Sequence, residues 1–335
     1  MPCLCCAGLI ATKGPAANRE ALILCLGLSP ALQRTLVVEA FQEGEVNRIQ
    51  DVLISPGGKS VNTGSACAKL GRGAVITGLN GGAQGRLVAE HLTHLGAVCA
   101  FTPTPWPTRT CTTIVDAASG LVTELVEEAH RPTPALLQAF ERRNRALLRR
   151  VRMCFICGTL PPGVPADFWA RFAQAAHGAA IPVLIDSHAA PLLRVLEFRP
   201  LLAKMNVREL EKTLGVHCPS ENAVIRAARR LVGAGAEWVL VTDGAAPAIL
   251  TSGDRSTWRI TPPRISDVRS PVGSGDCVNA GIAEALLAGT EMPQAVRLGM
   301  GCGTANALTY RPADFDPALA RAFAAACRVQ RLRKT

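Results

Sequence analysis

From Pro134 onward the chain repeats one local pattern, an amphipathic helix followed by a short apolar strand. A helical stretch running through Arg150 feeds "MCFICG", "PADFWARFAQAAHG" feeds "IPVLID", and "SENAVIRAARRLVGAG" feeds "EWVLVTDG". Strands apolar on both faces and separated by helices are satisfied by a parallel sheet with right-handed crossovers and helices on both sides. The pattern therefore predicts an α/β fold, a doubly wound and mostly parallel sheet flanked by helices. Before Pro134 the order is less regular. "ALILCLG", "TLVVEAF" and "AVITGLNG" are strand-like, "EVNRIQDVLIS" alternates as a half-exposed strand does, and "TCTTIVDAASGLVTELVEE" reads as two strands around a turn. "GKSVNTGSACAKLG" and "AQGRLVAEHLTHLG" read as helices ended by Gly71 and Gly96. The early strands do not fit inside the parallel sheet, so they predict a small β-lid drawn from about residues 34–55 and 108–127. No linker divides the chain. Residues 20–335 are expected to form one domain and residues 1–19 a loose extension.

Composition narrows the function. With 48% hydrophobic residues among 335, the chain can bury a large core. The first twenty residues lack the basic start of a signal peptide, and no later run has the length of apolar sequence that a membrane span needs. The thirteen cysteines are odd in number, and several sit in apolar or small-residue runs, where a reduced thiol packs as a small hydrophobe. A reducing, cytoplasmic location is expected. "CFIC" has the spacing of a zinc knuckle, yet in a strand Cys154 and Cys157 face opposite sides. The formal charge of +10 would suit nucleic acid, an anionic membrane or small anionic substrates. A single Tyr and four Trp leave few stacking platforms for bases, and Arg142, Arg145, Arg149 and Arg152 recur at helical spacing as a solvated face would. Small anions are the expected partners, without nucleic acid or membrane.

"ISPGGKSVNTG" resembles the end of a nucleotide P-loop, but the glycine that loop requires five residues before Gly58 is Leu53. If the chain binds ATP, the site lies elsewhere. "SPVGSGDCVNAGIAEALLAG" forms an anion hole: Gly273, Ser274 and Gly275 precede a helix, aiming unpaired N–H groups and the positive end of its dipole at an incoming anion. Asp276 sits at the same helix start. It is either a helix cap or a base that takes a proton from a substrate hydroxyl while the glycine amides stabilise a transferred phosphoryl group.

"SPVGSGDCVNAG" resembles the C-terminal signature of the ribokinase-like, phosphofructokinase-B-type sugar kinases, in particular the branch holding 1-phosphofructokinases and tagatose-6-phosphate kinases. "SPALQRT", "EGEVNRI", "PGGKSVN", "NGGAQG", "TRTCTTIVD", "GTLPPGVP", "KMNVREL", "VLVTDG" and "GTANALT" are similar to further family segments and fall in family order. The resemblance implies a ribokinase-like body, a lid that covers the sugar and often pairs with a second subunit, and ATP with Mg2+ as cofactors. It implies that Asp276 with Gly273, Ser274 and Gly275 carries catalysis. Gln33, Gly57, Gly58 and Asn62 would hold sugar hydroxyls, and Lys59 and Arg109 the phosphate the sugar already carries. Lys204, Asn206 and Glu209 would organise magnesium and ATP phosphates, Glu209 through water, with Thr242 and Gly244 along the nucleotide and Gly303 to Asn306 by the adenine.

Three positions depart from the family. Gln33 stands where an aspartate is usual, so an acceptor remains but its charge is gone. Met205 replaces a proline, and Ser60 replaces a glycine after Lys59, which puts the lid turn in question. The expected activity is ATP-dependent phosphorylation of a hydroxyl on a sugar phosphate of the fructose 1-phosphate or tagatose 6-phosphate type. Alternatives are a kinase for an unphosphorylated sugar or nucleoside, a non-catalytic sugar-phosphate sensor and, last, a nucleotide-dependent oxidoreductase.

Overall fold

A computed structural model describes residues 22–333; the extension expected over residues 1–19 lies outside them. The central sheet has ten strands. Seven are parallel, in the spatial order β6 (Val98–Cys99), β4 (Ala74–Ile76), β1 (Ile23–Leu26), β10 (Met153–Cys157), β11 (Val183–Asp186), β12 (Leu202–Asn206) and β13 (Trp238–Asp243). Three antiparallel strands extend that edge: β14 (Ala246–Ser252), β15 (Thr257–Thr261) and β16 (Arg328–Leu332). The mostly parallel, helix-flanked sheet expected from the sequence is present, and the antiparallel edge is an addition to it.

Strand alternation sorts the core into two layers. In β1, Leu24 and Leu26 join a cluster with Phe140, Trp169, Phe172 and Leu231, whereas Ile23 and Cys25 join one with Cys67, Val278, Ile282 and Val296. The first layer lies under α3 (Pro134–Leu148), α4 (Phe168–Gly178), α5 (Ala189–Leu196), α6 (Val207–Leu214) and α7 (Glu221–Gly233). The second lies under α1 (Lys59–Lys69), α8 (Ser274–Leu287), α9 (Met292–Asn306) and α10 (Pro317–Ala326). The same alternation separates the "CFIC" pair, with Cys154 in the first layer and Cys157 in the second. Every described cysteine is a free thiol.

Four strands stand apart as the lid, in the order β3 (Asp51–Gly57), β2 (Ala31–Val38), β8 (Arg109–Asp116) and β9 (Val122–Val126). β2 and β8 run parallel, while β3 and β9 are antiparallel to their neighbours. The expected strand over "EVNRIQDVLIS" begins only at Asp51. Ahead of it, the Asn47 side chain accepts from Gln42 N at 2.8 Å and donates to the Gln42 and Glu45 carbonyls at 2.7 and 3.0 Å, folding residues 42–47 into a closed turn. "AVITGLNG" also divides, into β4 and the two-residue β5 (Leu79–Asn80), which pairs with β7 (Thr102–Pro103). Helix α2 (Gly82–His94) packs on β2, β3 and β6. Among the described residues no helix is long and apolar enough to cross a membrane.

Candidate active site

The C-terminal ends of β10, β11 and β12 meet the N-termini of α1, α6 and α8, and the first turns of α1 and α8 carry no side-chain cap, which leaves their N–H groups for an anion. Gly273 provides the entry to α8. Its φ of 80° is left-handed, and a Cβ there would come within 2.8 Å of Pro312 Cβ, so the turn requires glycine. Gly58 does the same for α1, with φ of 98° and space for a Cβ only at 2.7 Å from the Ser29 carbonyl. In this way the "PGGKSVN" turn closes onto "SPALQRT".

Asp276 does not cap its helix. The N-cap is Gly273 and has no side-chain cap bond. Instead the Asp276 carboxylate accepts from Asn62 Nδ2 at 2.8 Å, across from α1, and the residue is only 6% exposed. Burial, reinforced by the nearby Asp186 charge, raises its pKa to about 7 against the pull of Lys59 and Asn62. A carboxyl so poised near neutral pH can take a proton from an alcohol. Asn62 Oδ1 is buried without a partner, an acceptor suited to a ligand hydroxyl.

The centre of charge is Asp186, which the sequence reading did not single out. It ends β11 with its side chain 2% exposed, and it accepts from Lys59 Nζ at 2.6 Å, Lys204 Nζ at 2.5 Å and Asn279 Nδ2 at 2.9 Å. Burial would raise its pKa, but Lys204 and Lys59 outweigh burial and hold the carboxyl well below the usual range. Lys59 also reaches Glu209 Oε1 at 3.2 Å, so its ammonium rests between Asp186 and Glu209. Burial works against the Lys59 charge, and the Asp186, Glu209 and Asp276 carboxylates more than compensate, raising its pKa.

Asn206 and Glu209 form a capping box: Asn206 Oδ1 accepts from Glu209 N and Glu209 Oε2 accepts from Asn206 N, each at 2.9 Å. Capping thus explains one carboxylate oxygen and leaves Oε1 turned to Lys59 and His188. Burial opposes the charge on Glu209, yet His188, Lys59 and the Asn206 amide bring its pKa down to about 2. Among the described residues no three His, Cys, Asp or Glu side chains group to hold a metal directly. An anionic Glu209 with spare lone pairs fits an ion that keeps its waters and is held mainly by substrate phosphates, as Mg2+ is.

The remaining sequence-predicted residues divide. Gly275 lies on the α8 mouth, where a Cβ would stand 3.2 Å from Lys204 Nζ. Thr242 pairs with Asn206 at the strand ends, and Gly244 turns just beyond with φ of 52°. Arg109 donates to the Glu127 and Ser29 carbonyls at 3.0 and 3.4 Å, and its Nε is buried without a partner. In the lid Gln33 Nε2 donates to Thr113 Oγ1 at 2.7 Å. Asn306 is fully buried, and its groups are committed to Val272 O, Ser274 Oγ and Ala313 N at 2.9, 3.0 and 2.8 Å. Its side chain therefore braces the Gly273 loop. Gly303 lets α9 approach α8, since a Cβ would stand 2.8 Å from Val278 and 3.0 Å from the Ser274 carbonyl.

Two of the departures are absorbed locally. Ser60 lies inside α1, donates to Thr77 O at 3.3 Å, and fits because Gly27 opposite has no Cβ. Met205 continues the β12 ladder opposite Val241 and packs in the first core layer.

A helix-flanked parallel sheet with a four-strand lid, a buried carboxyl at a glycine-opened helix mouth and lysines ranged beside it define a phosphotransferase of the ribokinase-like fold. The family model for pfkB family carbohydrate kinase matches residues 20–318, and the chain belongs to that family, which makes it an ATP-using kinase with a carbohydrate alcohol as acceptor. It is 34% identical over 277 residues to a 1-phosphofructokinase of Rhodobacter capsulatus, covering 82% of this chain and 87% of that one. A Thermotoga maritima structure described as a possible 1-phosphofructokinase aligns over 93% of this chain and 100% of its own, at 23% identity and a TM-score of 0.85. Phosphofructokinase-2 of Escherichia coli, solved in complex with substrates and products, aligns over 92% and 99%, at 23% identity and a TM-score of 0.81.

Proposed function

We propose that the chain transfers the terminal phosphoryl group of ATP, as its magnesium complex, to a hydroxyl of a ketohexose phosphate of the fructose 1-phosphate type. The observation that carries this reading is Asp276, buried, unused as a cap and poised near pH 7 at the mouth of α8. Asp276 takes the proton of the acceptor hydroxyl, which Asn62 helps to orient. The amides of Gly273, Ser274 and Gly275 stabilise charge on the moving phosphoryl group, and Lys204 adds a cation beside Gly275. Magnesium, when bound, neutralises phosphate charge; Asn206 and Glu209 hold its waters. Lys59, now on Asp186 and Glu209, keeps a partly exposed side chain that can turn to an incoming phosphate.

Arg109, with an idle buried Nε at the base of the lid, receives the phosphate already on the sugar. That unsatisfied donor favours a phosphorylated acceptor over a free sugar. Incubating the full chain with ATP, Mg2+ and a panel of phosphorylated and free sugars, read as product mass, tests the reading. A bisphosphate from fructose 1-phosphate is expected; product from free sugars alone would overturn it.

A second copy of the chain is the proposed partner of the lid's outer face. Val52, Leu36 and Ile114 form one outward row, and the next carries Ile54 and Leu125; Val52, Ile54 and Leu125 are exposed. Light scattering should give twice the chain mass, and a monomer at micromolar concentration would count against it.

A further inference from the structure

The inner face of the lid carries, beside Gln33, polar groups that no assignment above uses. Register puts Ser55, Gln33 and Cys111 in one row across β3, β2 and β8, and Thr35 and Thr113 in the next. Ser55 is 6% exposed, and its Oγ is buried without a hydrogen-bond partner. Such a group costs stability unless something else satisfies it. Gln33, directly across the ladder, is 4% exposed and gives its amide N–H to Thr113 Oγ1 at 2.7 Å. That bond fixes which way the amide points: Nε2 is engaged, and among the described residues no donor meets Oε1. Gln33 also packs on Gly57, where a Cβ would stand 3.0 Å from its own and 3.6 Å from its Oε1, so this row overlies the turn that opens α1. Asn62, one turn into that helix, holds the third unmet group, its buried Oδ1.

Two amide oxygens can only accept, and one hydroxyl can donate or accept. The ligand that satisfies all three is a polyol whose neighbouring hydroxyls donate to Gln33 and Asn62 and bond to Ser55. None of the three carries charge. We propose that Ser55 is a specificity-determining residue that binds an acceptor hydroxyl alongside Gln33, and that Thr113 is a positioning residue that presents the Gln33 oxygen to the sugar. The assignment rests on the proposed sugar-phosphate kinase reading and deepens it by naming uncharged lid groups that recognise the acceptor.

The test uses the full chain with ATP, Mg2+ and fructose 1-phosphate. Ser55→Ala is expected to raise KM for the sugar phosphate about tenfold, with kcat and KM for ATP within about twofold of the parent. Thr113→Val, which lets the amide turn, should raise the same KM by about fivefold, and Thr113→Ser, which keeps the hydroxyl, should restore it. A deoxy analogue of fructose 1-phosphate lacking the hydroxyl read by Ser55 should bind more weakly to the parent and equally to both parent and Ser55→Ala. An unchanged KM in Ser55→Ala, an equal rise in KM for ATP, or Thr113→Ser behaving like Thr113→Val would overturn the assignment.

Failure of the underlying reading would look different, because the parent would then yield no product from any phosphorylated ketohexose. The same variants are then compared by the thermal shift that fructose 1-phosphate, fructose or ribose gives the parent. Loss of at least half of that shift in Ser55→Ala sustains the lid assignment without the kinase reaction. An equal shift, or no shift of the parent by any polyol, ends it.

Discussion

On the body side of the cleft Asp186 carries two lysines and an asparagine, and Asp276 lies buried beside them with Asn62. On the lid side the same space is met by Ser55, Gln33, Thr35 and Thr113, which hold no formal charge, while Arg109 at the start of β8 and Glu124 across from Thr113 share that face by register. Thr35 ties the two walls together by donating to the Tyr310 carbonyl at 3.2 Å, beside the Pro312 that packs on Gly273. The charged wall is built from strand ends and helix mouths, where packing on the sheet limits movement. It can keep ionised groups in fixed places, which stabilising a moving phosphoryl group requires. The lid is a separate sheet, and its uncharged side chains offer a ligand bonds worth about 1 kcal/mol each. On the proposed reading the difference puts chemistry on one wall and recognition on the other, and single substitutions should separate the two.

The largest effect belongs to the charged wall. Asp276→Asn keeps the shape and the contact with Asn62 but removes the base, so kcat should fall by about 10³-fold or more while ATP binding persists. Activity within tenfold of the parent would mean that the proton leaves by another route and that the two walls do not divide the work.

Asp186→Asn comes next, read as stability. Lys204, whose side chain is 6% exposed, would lose the charge that compensates its burial, and Lys59 would lose its nearest partner. Breaking one side of a buried pair costs about 3 kcal/mol or more, which denaturant unfolding at pH 7 would show. The sign with pH follows from the depressed pKa of Asp186. Its stabilisation is complete above the unfolded-state carboxyl pKa of about 3.9 and is lost as pH falls toward the folded value, so the gap between parent and variant should narrow in acid. A constant gap down to pH 3 would show that the lysines do not depend on this carboxylate.

That Asp186 needed the structure to be noticed has a physical reason. Its bonds to Lys59, Lys204 and Asn279 span 127, 18 and 93 residues, and a lone aspartate at the end of an apolar strand carries no local signature. Gly273 to Asp276 was legible because a helix mouth is a local object: glycines, a carboxylate and an apolar period stand next to one another. The parallel sheet was legible for the same reason, each unit being short-range in sequence. The edge strands β14, β15 and β16 were not, since β16 joins only through pairing with a strand about 70 residues earlier. Asn306 and Gly303 were legible as a motif but not as a role, because only tertiary packing shows the first bracing the loop and the second admitting α9.

Arg109 tests the boundary between the walls, being the cation that begins lid strand β8. Arg109→Ala should raise KM for a phosphorylated acceptor by about thirtyfold, in line with loss of charge-assisted bonds, and leave any residual turnover of free sugars unchanged. An equal loss for both would make Arg109 a brace for Ser29 and Glu127 and remove the strongest argument for a phosphorylated acceptor.

The smallest effect is the dependence on pH, and it bears most directly on the origin of the base. Asp276 must be ionised to accept a proton, and burial with the Asp186 charge raises its pKa to about 7. The value of kcat/KM should therefore climb about tenfold per pH unit below 7 and level off above it. Asp186→Asn removes the like charge, and the weaker holding of Lys59 and Lys204 works the other way, so the midpoint in that variant measures which influence is greater. Burial is the largest cause of the shift, so the midpoint should stay well above the ordinary carboxyl range even there. A midpoint near 4 in the parent would mean that the cleft keeps Asp276 hydrated and that the charged wall is more open during turnover than its packing implies.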